Sequence, residues 1–320
     1  MGLPTGAILG ILSDNLRKRK SVLPISNSAA TGWAKGLKIK NGGEQVLYTG
    51  HMYQLMPSII ALSSQMAMLE DTPITKTMPL GRIANKFVNL SFFMGLLAPA
   101  DVRVEVDGYL ENVAALLQKA GIDFGYLYND ELYSGALVYD QGLDPCFEEH
   151  AKVVEKMFKD NGVKRIITID PHTTHMLSSV YPKVIEGFGI EVKSYLEVLA
   201  EADMEVLHPQ TAEIAIHDSC VNARYEDIVD APRQLLEKAG YVVKEPSMAG
   251  KATHCCGGPI EALFPKEAHK IADARVEQLH EACDKVTTMC PICMVNIRKA
   301  GEGKLTSVVD IAQYLAKAYL

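Results

Sequence analysis

A repeated ten-residue phrase constrains this chain more than any other feature. Asn112 to Gly121 reads NVAALLQKAG, and Ala231 to Gly240 reads APRQLLEKAG. The shared LL-x-KAG returns at an offset of 119 residues, from Gly121 to Gly240. Each copy is an amphipathic helix closed by Gly, the usual residue just past a helix end, and an apolar strand follows each. Those strands are predicted over 122–128 and 241–245. Two more parallels extend the match. Ile167–Thr174 matches Thr287–Met294, so Asp170-Pro171 falls on Cys290-Pro291 at an offset of 120. Val46–His51 matches Ala215–Cys220 at an offset of 169, which gives the first copy about 50 extra residues, roughly 57–100.

Each copy then reads strand, helix, strand, loop, helix, strand, turn, helix. That order predicts an α/β protein of two tandem Rossmann-like repeats with mostly parallel sheets, related by a pseudo-two-fold axis. The repeats divide the chain at 1–205 and 206–320. Sites in such sheets gather at the carboxyl ends of strands. Cysteines stand in those places. Cys220 follows the strand 213–217, Cys255 and Cys256 follow the strand at Tyr241, and Cys290 ends the strand 285–289.

Five of the seven cysteines form a pattern: Cys220, then 34 residues, Cys255-Cys256, then 33 residues, Cys290, and Cys293 after two more. In a chain with no secretory leader pattern, clustered cysteines point to metal or redox work before structural disulfides. C-x-x-C lets two thiolates from one turn reach one centre. The adjacent pair presents two sulfurs from one corner. Gly257 and Gly258 let the main chain pass close to a bulky inorganic core. Helices after Cys256 and after Pro291 would aim their positive ends at an anion there. Five thiolates exceed the four of a zinc site and the four of a cubane cluster. Zinc, a thioredoxin-like dithiol at Cys290 and Cys293, and simple burial of small apolar side chains remain the competing readings.

The run C-x(34)-CCGGP-x(30)-C-P-I-C resembles the CCG cysteine-rich domain of the B-type subunit of heterodisulfide reductase and of iron–sulfur subunits in lactate and glycerol-3-phosphate oxidation. That family carries two such domains in tandem. The resemblance implies that Cys220, Cys255, Cys256, Cys290 and Cys293 ligate one non-cubane [4Fe-4S] cluster per chain, one cysteine bridging two irons. Gly257, Gly258 and Pro291 would shape its loop. The implied partners are a flavin-containing A-type subunit, a ferredoxin-like C-type subunit and a sulfur-carrier protein. The implied work is electron transfer, or disulfide and sulfane-sulfur chemistry, in an oxidoreductase complex.

The first copy departs from this pattern. His51 stands for the first cysteine, Leu132 and Tyr133 for the pair, and Asp170 and Thr173 for C-x-x-C. Leucine cannot ligate a metal, so 1–205 reads as a degenerate CCG repeat without a cluster. It brings the chain nearest to the B-type component of sulfur-oxidising heterodisulfide reductase-like complexes. His51, Asp170, His172 and His175 would outline a leftover polar pocket, filled at its Leu132-Tyr133 corner. His254 reads as a loop residue or a tuner of the cluster. Cys283, in register with Ala268, Ala272, Val276 and Leu279, reads as core on one helical face. Cys146 reads as a helix-start residue.

The remaining features mostly exclude. A net charge of -7 offers no basic footprint for nucleic acid. The longest apolar run, 87–100, is too short to span a bilayer and suits a core or a docking surface. No G-x-G-x-x-G opens a helix after a strand, so a dinucleotide is not expected. The basic run Arg17 to Lys20 reads as a solvated helix face or, beside apolar 7–12, a docking patch. A cytoplasmic location is the default expectation.

Overall fold

The computed structural model describes residues 3–23, 25–69, 72, 78–87 and 99–320. The apolar run expected to pack or dock lies mostly outside these, at 88–98. Among the described residues, nine strands form two sheets. The first holds β1 (Lys40–Asn41), β2 (Gln45–Tyr48), β3 (Gly125–Tyr126), β4 (Arg165–Thr168) and β5 (Glu191–Ser194), in the order β1-β3-β2-β4-β5. The second holds β6 (Glu213–His217), β7 (Val242–Lys244), β8 (Lys285–Thr288) and β9 (Ser307–Asp310), in the order β7-β6-β8-β9. Every pairing is parallel. Without its edge strand β1, the first sheet has the strand order of the second.

Strand register reproduces the sequence offsets. Val46 pairs with Gly125 and Ile166, and Ala215 pairs with Lys244 and Val286. Those partners stand 169, 119 and 120 residues apart between the copies. The LL-x-KAG phrases also close alike. Ile122 N donates to Leu117 O and Gly121 N to Gln118 O, while Tyr241 N donates to Leu236 O and Gly240 N to Glu237 O. Both glycines are left-handed, at φ 72° and 91°, as this helix stop requires.

The strands are apolar because helices cover both faces: Val46, Leu47, Ile214, Ala215 and Ile216 are fully buried. The two repeats pack helix to helix, and each contact has its mate. The helix Tyr195–Glu201 lies on Asp230–Lys238, and Ile311–Tyr319 lies on Ala100–Lys119. Likewise Pro171–His175 meets Cys220–Tyr225, and Pro291–Ala300 meets Met52–Leu69. The exchange of roles is what a pseudo-two-fold relation demands. It brings the carboxyl ends of β4 and β8 toward one shared seam. Arg298 clamps Glu105 across that seam through two bonds of 2.7 and 2.8 Å.

Two elements differ from expectation. Only a 3-10 turn, Gly258–Ile260, follows the cysteine pair directly, so no helix end points from there. The helix Pro265–Ala282 stops before Cys283, which lies half-buried in extended backbone with its Sγ 3.5 Å from Glu213 O. It packs on the core from beyond the helix rather than on its face. Cys146 is buried in the first turn of Asp144–Asp160. Arg17 pairs with Glu149 at 2.8 Å, and Arg19 donates to Asn85 O at 2.9 Å, so part of the basic run serves the fold itself. Among the described residues, no helix is long and apolar enough to cross a membrane.

Candidate metal centre

Three separated stretches of the second repeat converge beyond the ends of β6 and β8. Cys220 opens the helix Cys220–Tyr225. Cys290 caps the helix Pro291–Ala300, with Pro291 in its first turn and Cys293 one turn in. Pro suits that place because its missing N–H has no partner there anyway. Cys255 and Cys256 sit on the loop between the 3-10 turns Gly250–Ala252 and Gly258–Ile260.

That loop is tied down at several points. Arg224 donates to Lys251 O at 3.0 Å and to Thr253 O, and Thr253 Oγ1 donates to Asp218 O at 3.0 Å. Asp218 accepts from Gly250 N at 2.7 Å and takes both arms of Arg233 at 2.8 and 2.9 Å. Asn296 reaches Cys256 O at 3.3 Å. Gly257 has φ 82°, and a Cβ there would stand 2.3 Å from Ala268 O. A Cβ on Gly258 would stand 2.3 Å from Ile292 Cγ2 and 3.3 Å from Cys256 Sγ. Both glycines are demanded by close approach.

The five thiols form one connected set. Cys255 contacts Cys220 and Cys256, Cys256 contacts Cys293, and Cys293 contacts Cys290. All seven cysteines are free thiols. Hydrogen bonds from Cys220 and Cys256 draw the Cys255 thiol far below the ordinary range. Burial would raise Cys290, yet bonds from Cys293 and His172 draw it well down. The Cys220 thiol is raised, first by its bond to Cys255. Thiols this close share protons because all of them cannot ionise together without a cation between them.

Four residues that the motif does not contain complete the centre: His217, Arg275, Asp140 and His172. A ring nitrogen of His217 lies within 4.8 Å of the sulfurs of Cys256 and Cys293, each of which lies as close to the other. Arg275 is fully buried and donates from Nε to His217 Nδ1 at 2.9 Å. Its other bonds go to neutral acceptors, Met248 O at 2.7 Å and Gln278 Oε1 at 2.9 Å. Among the described residues no carboxylate pairs with it, and Asp218 is committed to Arg233. Burial lowers the Arg275 guanidinium to about 10, and the charges of Asp218, Cys293 and Cys256 oppose that. A buried cation without a carboxylate is costly unless an anion lies nearby. An anionic, thiolate-bound iron–sulfur core fits this surrounding. The third residue is Asp140, whose Oδ2 lies 2.8 Å from His172 Nδ1. His172 belongs to the first repeat and hydrogen-bonds Cys290 of the second, so the seam delivers a histidine from one repeat to a sulfur of the other.

The residues expected in the first repeat each engage a neighbour, and Asp170 also lies close enough to His172 to feel its charge. His51, at φ 59°, faces Glu131 at 3.8 Å, and burial pushes it down to about 4. Asp170 caps its own helix, accepting from Thr173 N at 3.0 Å. His175 pairs with Glu226 of the second repeat at 2.6 Å. His254 Nδ1 lies 3.0 Å from its neighbour's carbonyl, Cys255 O. Gly135 and Gly257 share one conformation, φ 87° and 82°, each preceding a short helical turn. Matching them aligns Tyr133 and Ser134 with Cys255 and Cys256, one residue later than the pairing of Leu132 and Tyr133. Contacts agree: Thr173 Oγ1 donates to Ser134 Oγ at 3.3 Å where Cys293 meets Cys256. Tyr133 is fully buried, and its hydroxyl accepts from Leu137 N at 2.7 Å.

Sequence signals for the missed residues existed. Arg275 is a charge on the apolar face shared by Ala268, Ala272, Val276 and Leu279. His217 is a polar ending to an apolar strand. Asp140 carried no signal, because its role depends on a residue 32 positions away.

Comparison with known proteins fits this geometry. Residues 214–298 match the cysteine-rich domain named CCG. The chain is 32% identical over 219 residues to the probable iron-sulfur-binding oxidoreductase FadF of Bacillus subtilis, covering 65% of this chain and 31% of that protein. It is 31% identical over 226 residues to the EtfAB:quinone oxidoreductase of Syntrophomonas wolfei, with the same shares. It is 27% identical over 224 residues to a probable membrane-anchored ferredoxin of Chromohalobacter salexigens, covering 65% of this chain and 33% of that one. The match thus spans about a third of each relative's length.

Proposed function

Residues 214–298 are a CCG cysteine-rich domain, and from that premise we propose that this chain is the cluster-bearing electron-transfer part of an iron–sulfur oxidoreductase, akin to the B-type subunit of heterodisulfide reductase. Cys220, Cys255, Cys256, Cys290 and Cys293 hold one [4Fe-4S] cluster of non-cubane form. The observation that carries this reading is the connected set of five thiols beside a buried guanidinium with no carboxylate partner among the described residues. When bound, the cluster supplies one-electron redox chemistry.

The chain's own residues do the rest. Cys290, Cys256 and Cys293 are buried while Cys220 and Cys255 are partly open, so electrons enter or leave on the Cys220–Cys255 side. Arg275 offsets negative charge from within. Asp140 orients His172 against Cys290. With none of the five motif thiols in the first repeat, that half serves as scaffold and supplies His172. The relatives' names, an EtfAB:quinone oxidoreductase and a ferredoxin among them, favour passage of electrons to a further acceptor. A flavin-containing subunit and a ferredoxin-like subunit are the partners this reading assigns, in a cytoplasmic setting. Disulfide or sulfane-sulfur chemistry would require a substrate to reach the Cys220–Cys255 side.

The test is anaerobic purification with iron, zinc and acid-labile sulfide assays and electron paramagnetic resonance. Roughly four irons with matching sulfide per chain are expected. Cys290→Ala sharply lowers both, while Asp170→Ala leaves them unchanged. One zinc and no sulfide would defeat the proposal.

A further inference from the structure

Resting on the cluster reading above, we propose that Arg275 fixes His217 as an N–H donor to the sulfurs of Cys256 and Cys293. His217 is then a positioning residue that raises the reduction potential, and it is not a ligand.

A guanidinium nitrogen always carries hydrogen and never accepts. Arg275 Nε lies 2.9 Å from His217 Nδ1, so Nδ1 must present its lone pair. The ring's single hydrogen therefore sits on Nε2. Nε2 is buried and has no hydrogen-bond partner among the described residues. One ring nitrogen lies within 4.8 Å of both sulfurs, and Nδ1 is taken by Arg275. Nε2–H is the group left to meet them.

A ligating histidine works the other way round. It gives the metal a lone pair from one nitrogen and donates hydrogen from the other to a carbonyl or carboxylate. Ligation through Nε2 would set the Nδ1 hydrogen head-on against Arg275. The arginine thus bars His217 from joining Cys256 and Cys293 as a metal ligand.

The first repeat supplies the contrast. Tyr48 holds the place of His217, since both end their strand opposite a threonine, Thr168 and Thr288. Tyr48 closes its polar end on the chain, donating to Leu132 O at 2.7 Å. Where the motif thiols are absent the position is satisfied internally, and where they are present an N–H is left over for them. Hydrogen bonds to cluster sulfur and a nearby cation both favour the reduced, more negative state.

The test uses the full chain, purified anaerobically, with His217→Phe, His217→Gln and Arg275→Gln. Iron and sulfide are assayed, midpoint potentials are taken by resonance-monitored titration, and pulsed resonance is run on protein with 15N-labelled histidine. His217→Phe is expected to keep wild-type iron while the reduced-to-oxidised ratio at fixed ambient potential falls about tenfold, or about 59 mV for one electron. His217→Gln, which retains an N–H, recovers most of that shift, and Arg275→Gln lowers the potential too. The label shows only the weak coupling of a hydrogen bond. A strong, directly bonded nitrogen coupling in the wild type overturns the assignment, whatever becomes of the variants. So does an iron-replete His217→Phe with an unmoved midpoint. A wild type with no iron or sulfide defeats the cluster reading itself and this assignment with it.

Discussion

Adding one methyl group at Gly257 tests how the loop holds the cysteine pair. Its φ of 82° is left-handed, which costs an L-residue about 1–2 kcal/mol. The new Cβ would also stand 2.3 Å from Ala268 O, a backbone atom of the helix that carries Arg275. A flexible side chain would move aside, but a helix carbonyl cannot without shifting its turn. Overpacking of this kind adds about 1–3 kcal/mol. The sum is about 2–5 kcal/mol, or a Tm lower by roughly 5–15 °C for a domain of this size. Gly303→Ala is the control, with φ 79° and nothing within 4 Å of the added atom. It should lose only the conformational part, about 1 kcal/mol. Thermal unfolding followed by circular dichroism reads the stability, and iron assay reads the site. Gly257→Ala should bind less iron, because the shift moves Cys255 and Cys256 together. If it unfolds no earlier than Gly303→Ala and loads iron fully, the close-approach reasoning is refuted.

Other outcomes follow from single contacts. Burial raises Glu131 to about 8, so its contribution to stability is complete below the unfolded value near 4.5 and is lost as pH climbs through 8. Glu131→Gln keeps an acceptor for Thr49 N and removes that loss. Urea titrations should show the variant gaining on wild type between about pH 5 and 9, by a few kcal/mol at most, and parallel curves would contradict it. The Glu105–Arg298 clamp is about a third exposed, so a double-mutant cycle should return only about 0.5–1 kcal/mol of coupling. Removing the Asp170 cap should cost about 1 kcal/mol without altering iron content.

Much of the architecture was legible in the chain. Three sequence offsets matched three strand registers, because duplicated sequences fold to duplicated hydrogen-bond ladders and side-chain period ties register to residue number. The strand limits were readable within a few residues where apolar runs met Gly or Pro. The pair alignment in the first repeat was less so. Two neighbouring small residues follow each corner, and only backbone conformation shows that Gly135 matches Gly257.

The amino-acid order alone therefore determined the duplication, the parallel α/β plan and the five-cysteine motif, since each is a matter of period and spacing along one chain. Only the tertiary structure decided what surrounds the sulfurs. His217 and Arg275 meet from a strand and a helix 58 residues apart, and His172 crosses from the other repeat to Cys290. Contacts like these depend on how helices dock across a seam, where direction and distance count and sequence separation does not.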